Sequence, residues 1–184
     1  MKEALPRPAL AGPHQVANMA TGLAAVLELL PDAAADLPAV RRGLRSVSLA
    51  GRFERVSGQP PVWIDVGHNP MAAQAVGRAL AEAEPGRRIR CVLGMLSDKD
   101  AEGVTGELGP HVFAWYCAGL GGARGLSGES LAARIGDTAA PAPVRAFPRV
   151  PAALDAALAD TAADEGVLVF GSFVTAAEAG SHLL

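Results

Sequence analysis

The chain has 184 residues, a net charge of −3 and a hydrophobic share of 50%, much of it alanine, which leaves room for one domain, or a domain with a piece of another, and for a sizeable core. Its arginines are scattered, so no basic stripe points to nucleic acid or an anionic membrane surface, and no apolar run reaches the ~20 residues of a membrane span. The opening MKEALPRPAL has no apolar signal-peptide segment, and Cys91 and Cys117 form neither a CxxC pair nor a dense framework; buried thiols in a reducing, cytoplasmic setting are expected.

From Pro13 to Leu30, Val16, Met19, Leu23, Val26, Leu27 and Leu30 follow three-four spacing, which predicts an amphipathic helix ending before Pro31. A shorter helix fits Leu37 to Val47. Near Ala50-Gly51 the texture changes, dividing a helical leader (1–50) from a second region (51–184). Short β-rich runs now alternate with helical patterns: FERV and PVWIDV, then RCVLGM, HVFAWYCA, VRAF and GVLVFGSF. That alternation predicts an α/β fold, a Rossmann-like and mostly parallel sheet flanked by helices. FERV and PVWIDV are joined by Ser57-Gly58-Gln59-Pro60, too short for a crossover, so this pair should be an antiparallel hairpin.

The run Ile64-Asp65-Val66-Gly67-His68-Asn69-Pro70 ends a strand and starts a helix. Asn69 reads as N-cap and Pro70 as the first helical residue, with Ala72, Ala75, Val76, Ala79, Leu80 and Ala83 as the buried stripe. Capping does not account for Asp65 and His68. In open α/β sheets ligands bind at the carboxyl ends of strands, and a helix N-terminus favours anions, so both are candidates for ligand contact. A strand-end carboxylate such as Asp65 and a loop arginine such as Arg52 are expected to lie outside the core.

Two further strand ends repeat the arrangement. Leu96-Ser97-Asp98-Lys99-Asp100 follows VLGM, with Asp98 or Asp100 able to cap the helix carrying Val104 and Leu108; Lys99 is one of two lysines in the chain, the other being Lys2. Gly171-Ser172-Phe173 follows VLVF, and Thr175-x-x-Glu178 resembles a capping box, which makes Ser172 a structural residue on this reading. Other motifs are excluded by their spacing. The loop Gly119–Gly125 has Arg124 where a dinucleotide fingerprint needs its third glycine, neither lysine follows a glycine as a Walker loop requires, and there is no GxSxG elbow. His14, His68, His111 and His182 have no paired ligand spacing, so no metal site is expected.

Taken together, Gly12-Pro-His14-Gln15-x-x-Asn18, Gly51-Arg52-Phe53-Glu54, Ile64–Pro70, Gly94–Asp100 and Val169–Phe173 resemble the C-terminal part of bacterial bifunctional dihydrofolate synthase/folylpolyglutamate synthase, of the Mur ligase superfamily. The resemblance implies that 1–50 holds the last helices of a central ATPase domain and 51–184 the glutamate-ligase domain. It also implies an ATP-dependent ligase that adds L-glutamate to dihydropteroate or a folate through an acyl phosphate. By the same resemblance Asn18, Arg52, Asp65 and His68 face ATP, Lys99 and Ser172 face glutamate, and His68 and Lys99 are the catalytic candidates. The Walker loop, the Mg²⁺ ligands and most of the pterin site of such enzymes belong to an N-terminal ATPase domain, so the chain alone is expected to be an inactive monomer. Another Mur-type amino-acid ligase, or a non-catalytic module that keeps the fold, are the competing readings.

Overall fold

The computed structural model describes residues 4–10, 12, 14–32, 36–139 and 141–184. Two leader helices, α1 (His14–Leu29) and α2 (Leu37–Ser46), are followed by β1 (Glu54–Gly58), β2 (Pro61–Ile64), α3 (Pro70–Ala83), β3 (Arg88–Leu93) and α4 (Ala101–Leu108). Then come β4 (Val112–Ala118), α5 (Gly128–Ala139), β5 (Val144–Phe147), α6 (Val150–Asp160), β6 (Glu165–Phe170) and α7 (Phe173–Leu183). The strands form one six-stranded sheet in the order β1-β2-β6-β3-β4-β5. As the sequence predicts, β1 and β2 are an antiparallel hairpin, closed by Gln59-Pro60, and β2 to β5 and β6 run parallel.

Parallel strands need cover on both faces, and strand residues alternate between two cores. Trp63, Cys91, Leu93, Trp115, Leu168 and Phe170 face α3, α4 and α5. Val62, Ile64, Val92, Tyr116, Val167 and Val169 face α6 and α7. The last strand is inserted between the first two parallel ones, so the helices leaving β2 and β6 go to opposite faces. This is a topological switch, and open α/β sheets bind ligands at the carboxyl edge of such a point.

Asn69 caps α3, its side-chain oxygen accepting from the Ala72 N–H at 2.9 Å, with Pro70 first in the helix. Asn69→Ala is expected to lower stability by about 1 kcal/mol, read as a drop in thermal midpoint. The buried stripe of α3 is Ala73, Val76, Gly77, Ala79 and Leu80, while Ala72 and Ala75 are half-buried and Ala83 is exposed. The stripe is rotated from the expected one because Gly77 receives the His111 ring: a Cβ there would lie 2.6 Å from its Cδ2. In the leader the expected helices form, but their apolar stripe is little covered among the described residues. Val16, Val26, Leu29 and Leu30 are exposed, and Gln15 is the residue α1 buries.

Candidate functional site at the carboxyl edge of the sheet

Four segments meet at this edge: the turn 51–54 before β1, Asp65–Asn69 after β2, Gly94–Asp100 after β3 and Gly171–Ser172 after β6. Backbone bonds tie them together, from Gly171 N to Gly67 O (3.0 Å), Gly94 N to Phe170 O (3.1 Å) and Asp65 N to Val169 O (3.0 Å). Gly67 permits this approach, since a Cβ would meet the Phe170 ring at 2.6 Å and Asp65 Oδ1 at 2.8 Å.

Asp65 is a core residue, 7% exposed, which corrects the expectation that a strand-end carboxylate would stand clear of the interior. Its Oδ1 accepts from Gly67 N at 2.7 Å and its Oδ2 from Phe53 N at 2.8 Å. Buried backbone N–H groups must be paired, and here one carboxylate pairs two of them from separate segments. Burial raises the Asp65 pKa above its ordinary value, and the two N–H bonds, Arg52 and His14 pull in the opposite direction.

The turn that Asp65 holds is strained. Gly51 has φ +67°, and Phe53, a non-glycine, has φ +47°. Gly51 N donates to Glu54 Oε2 (2.8 Å), Val66 N donates to Gly51 O (2.9 Å), and the Phe53 ring stacks on Trp63. From this braced turn the exposed Arg52 reaches across to Phe173, the first residue of α7, with its guanidinium carbon 6.0 Å from the ring centroid.

His68 is half-buried, with Nδ1 3.2 Å from Val66 O. Ser172 is 4% exposed and caps α7: its Oγ accepts from Thr175 N at 3.0 Å and lies 2.7 Å from Thr175 Oγ1, which donates to Gly94 O at 2.7 Å. The capping box expected at Thr175 is therefore displaced. Thr175 lies inside α7, and the cap is the preceding serine. At α4 the capping aspartate is Asp100, which accepts from Gly103 N at 2.8 Å. Asp98 instead pairs with Lys99 at 2.9 Å, a contact that lowers its pKa. On α1, the exposed Asn18 donates to Gln15 Oε1 at 3.0 Å, and Gln15 Nε2 lies 3.0 Å from His14 Nε2.

The edge thus combines three exposed or half-buried basic side chains, Arg52, His68 and Lys99, with the N-termini of α3, α4 and α7. Such a surface can hold and neutralise anions; it presents no Ser-His-Asp constellation. Among the described residues no three His, Cys, Asp or Glu converge as an all-protein metal site would require.

The family model for the Mur ligase, glutamate ligase domain, matches residues 51–173. The chain belongs to that family. It is similar to the dihydrofolate synthase/folylpolyglutamate synthase of Escherichia coli strain K12, 38% identical over 175 residues that cover 95% of this chain and 39% of that protein. The solved structure of Mycobacterium tuberculosis folylpolyglutamate synthase complexed with ADP and AMPPCP matches with a TM-score of 0.85 at 33% identity, over 96% of this chain and 41% of that one. A bifunctional folylpolyglutamate synthase/dihydrofolate synthase solved with Mn, AMPPNP and L-glutamate bound matches with a TM-score of 0.79 at 38% identity, over 98% and 41%. The Mur ligase chain described here spans about two fifths of the length of these relatives. Among its described residues no helix is long and apolar enough to cross a membrane.

Proposed function

We propose that this chain is the glutamate-ligase portion of a cytoplasmic, monomeric dihydrofolate synthase/folylpolyglutamate synthase, with residues 1–50 packing as the last helices of the ATPase domain and 51–184 as the ligase domain proper. The observation that carries the reading is the basic carboxyl edge, where four motifs far apart in the chain converge at the topological switch. Two other observations support it. Val16, Val26 and Leu30 on the apolar stripe of α1 lie exposed and would be covered by an ATPase domain, and both thiols are free and buried, as a reducing compartment permits.

In this reaction the γ-phosphoryl group of ATP passes to a carboxylate of dihydropteroate or a folate, releasing ADP. The amine of L-glutamate then attacks the acyl carbon, an amide forms, and inorganic phosphate leaves. Mg²⁺, when bound in the complete ligase, neutralises phosphate charge; its ligands belong to the ATPase portion. In this chain Arg52 steadies the phosphates as charge moves between them, and His68 lies beside the nucleotide. Asn18 faces the adenine. Asp65 orients Arg52 through the Phe53 N–H, and the remaining lone pairs of its oxygens face the ribose. Lys99 and the α7 N-terminus at Ser172 receive glutamate, with Lys99 exchanging Asp98 for a substrate carboxylate.

These 184 residues contain no Walker loop. The purified chain is therefore expected to show no ATP-dependent addition of L-glutamate to dihydropteroate, while the ligase that includes an ATPase portion does. Synthesis by the chain alone, free of contaminating enzyme, would overturn the division of labour.

A further inference from the structure

We propose that Arg124 is the second carboxylate-holding cation of this edge, acting with Lys99 to select a dicarboxylic amino acid over a neutral one; the inference rests on the reading that Lys99 receives L-glutamate. Lys99 supplies one positive charge, and L-glutamate carries two carboxylates. A second cation must come from an element fixed relative to Lys99, because a loosely placed charge would give little discrimination between acid and amide.

The loop after β4 meets this condition. Ser97 N donates to Arg124 O at 2.8 Å, Leu126 N donates to Met95 O at 3.2 Å, and Leu96 and Gly125 form an isolated antiparallel bridge. The loop closes on itself through Leu120 N to Leu126 O (2.9 Å) and Gly125 N to Gly122 O (3.1 Å), with Gly122 at φ +84°. Arg124 is thereby locked in register with Ser97, two residues from Lys99. The opposite side of the Ser97–Asp100 turn is held by Arg134, which donates to Ser97 O at 3.2 Å while pairing with Glu102 at 2.8 Å. Both cations are carried on braced backbone.

Arg124 is exposed, and its guanidinium makes no hydrogen bond or ion pair among the described residues. Its charge acts at longer range on the Asp98 carboxylate, the group that Lys99 holds at 2.9 Å. Asp98 is thus a carboxylate within the influence of both cations and paired with Lys99. A substrate carboxylate that takes its place on Lys99 leaves Arg124 to the other carboxylate of the same molecule. A neutral side-chain amide gains nothing comparable from Arg124.

The test uses this chain with its lysines carrying ¹³C-methyl groups, which keep the positive charge; because Lys2 is the other lysine, the Lys99 signal is resolved by NMR. Titration with L-glutamate is expected to shift the Lys99 signal at concentrations about fivefold lower than titration with L-glutamine, the modest ratio reflecting an exposed pair. Arg124→Gln should abolish that preference while leaving the Lys99 response to either amino acid, and Arg124→Lys should restore most of it. Retention of the glutamate preference by Arg124→Gln would overturn the inference and leave the Lys99 reading intact. A Lys99 signal that responds to neither amino acid would overturn both.

Discussion

Asp65→Ala is expected to lower folding stability by ~2–4 kcal/mol, because it leaves the buried Phe53 and Gly67 N–H groups without an acceptor and removes the brace from a turn with two positive-φ residues. Asp65→Asn should cost less: its amide oxygen can still accept one N–H, while its NH₂ group faces the other donor. The pH dependence separates these variants further. The raised pKa means that the native chain binds the Asp65 proton more tightly than the unfolded chain. This residue therefore makes stability fall as pH rises through the window from its ordinary value, 3.8, to the raised one. Asp65→Asn should remove that component, and thermal midpoints collected across the acid range for both chains would show the difference. An Asp65→Ala chain that melts with the wild type would mean that the turn is held by Glu54 and Val66 alone.

Arg52→Ala should act on chemistry and leave stability close to wild type. The side chain is exposed, and its one ring contact is long. In a complete ligase, loss of a charge-assisted contact to the transferring phosphoryl group is expected to slow ADP formation by roughly ten- to a hundredfold, with the KM for L-glutamate changed little. Rapid-quench measurement of ADP distinguishes this from a general loss of folded enzyme. The contrast with Asp65 follows from geometry: Asp65 holds the backbone from which Arg52 projects, so its substitution should reduce both stability and rate.

The strands were legible because a parallel sheet buried on both faces needs near-continuous apolar runs, as in Pro61–Ile64 and Glu165–Phe170. Asn69-Pro70 marked a helix start by local chemistry alone. The insertion of β6 between β2 and β3 had no local signal, since strand adjacency is decided by packing between segments a hundred residues apart. Val76, Ala79 and Leu80 lie on the buried stripe of α3 as expected, while Ala72, Ala75 and Ala83 do not, because an alanine-rich helix has little contrast between faces and Gly77 gives no hint of the His111 ring packed on it. Thr175-x-x-Glu178 matched a capping pattern, yet the structure starts α7 at Phe173 and uses Ser172; the Thr175 hydroxyl is spent on Gly94 O, a partner distant in sequence. Asp65 was conspicuous as a carboxylate at a strand end, but only the fold reveals that both its oxygens hold backbone. Arg124 became visible as a candidate once Ser97 and Arg124 were seen joined, since nothing in its surrounding glycines indicates which loop they face.

The most direct test of a division between phosphates at Arg52 and glutamate at Lys99 is a single-turnover measurement of ADP and amide product in the complete ligase, comparing wild type with Lys99→Ala. Lys99→Ala is expected to form ADP at close to the wild-type rate when ATP and the acceptor carboxylate are present, then to convert the acyl phosphate to amide at least about tenfold more slowly at subsaturating L-glutamate. Equal amide formation by the two enzymes, or loss of ADP formation in Lys99→Ala, would contradict it.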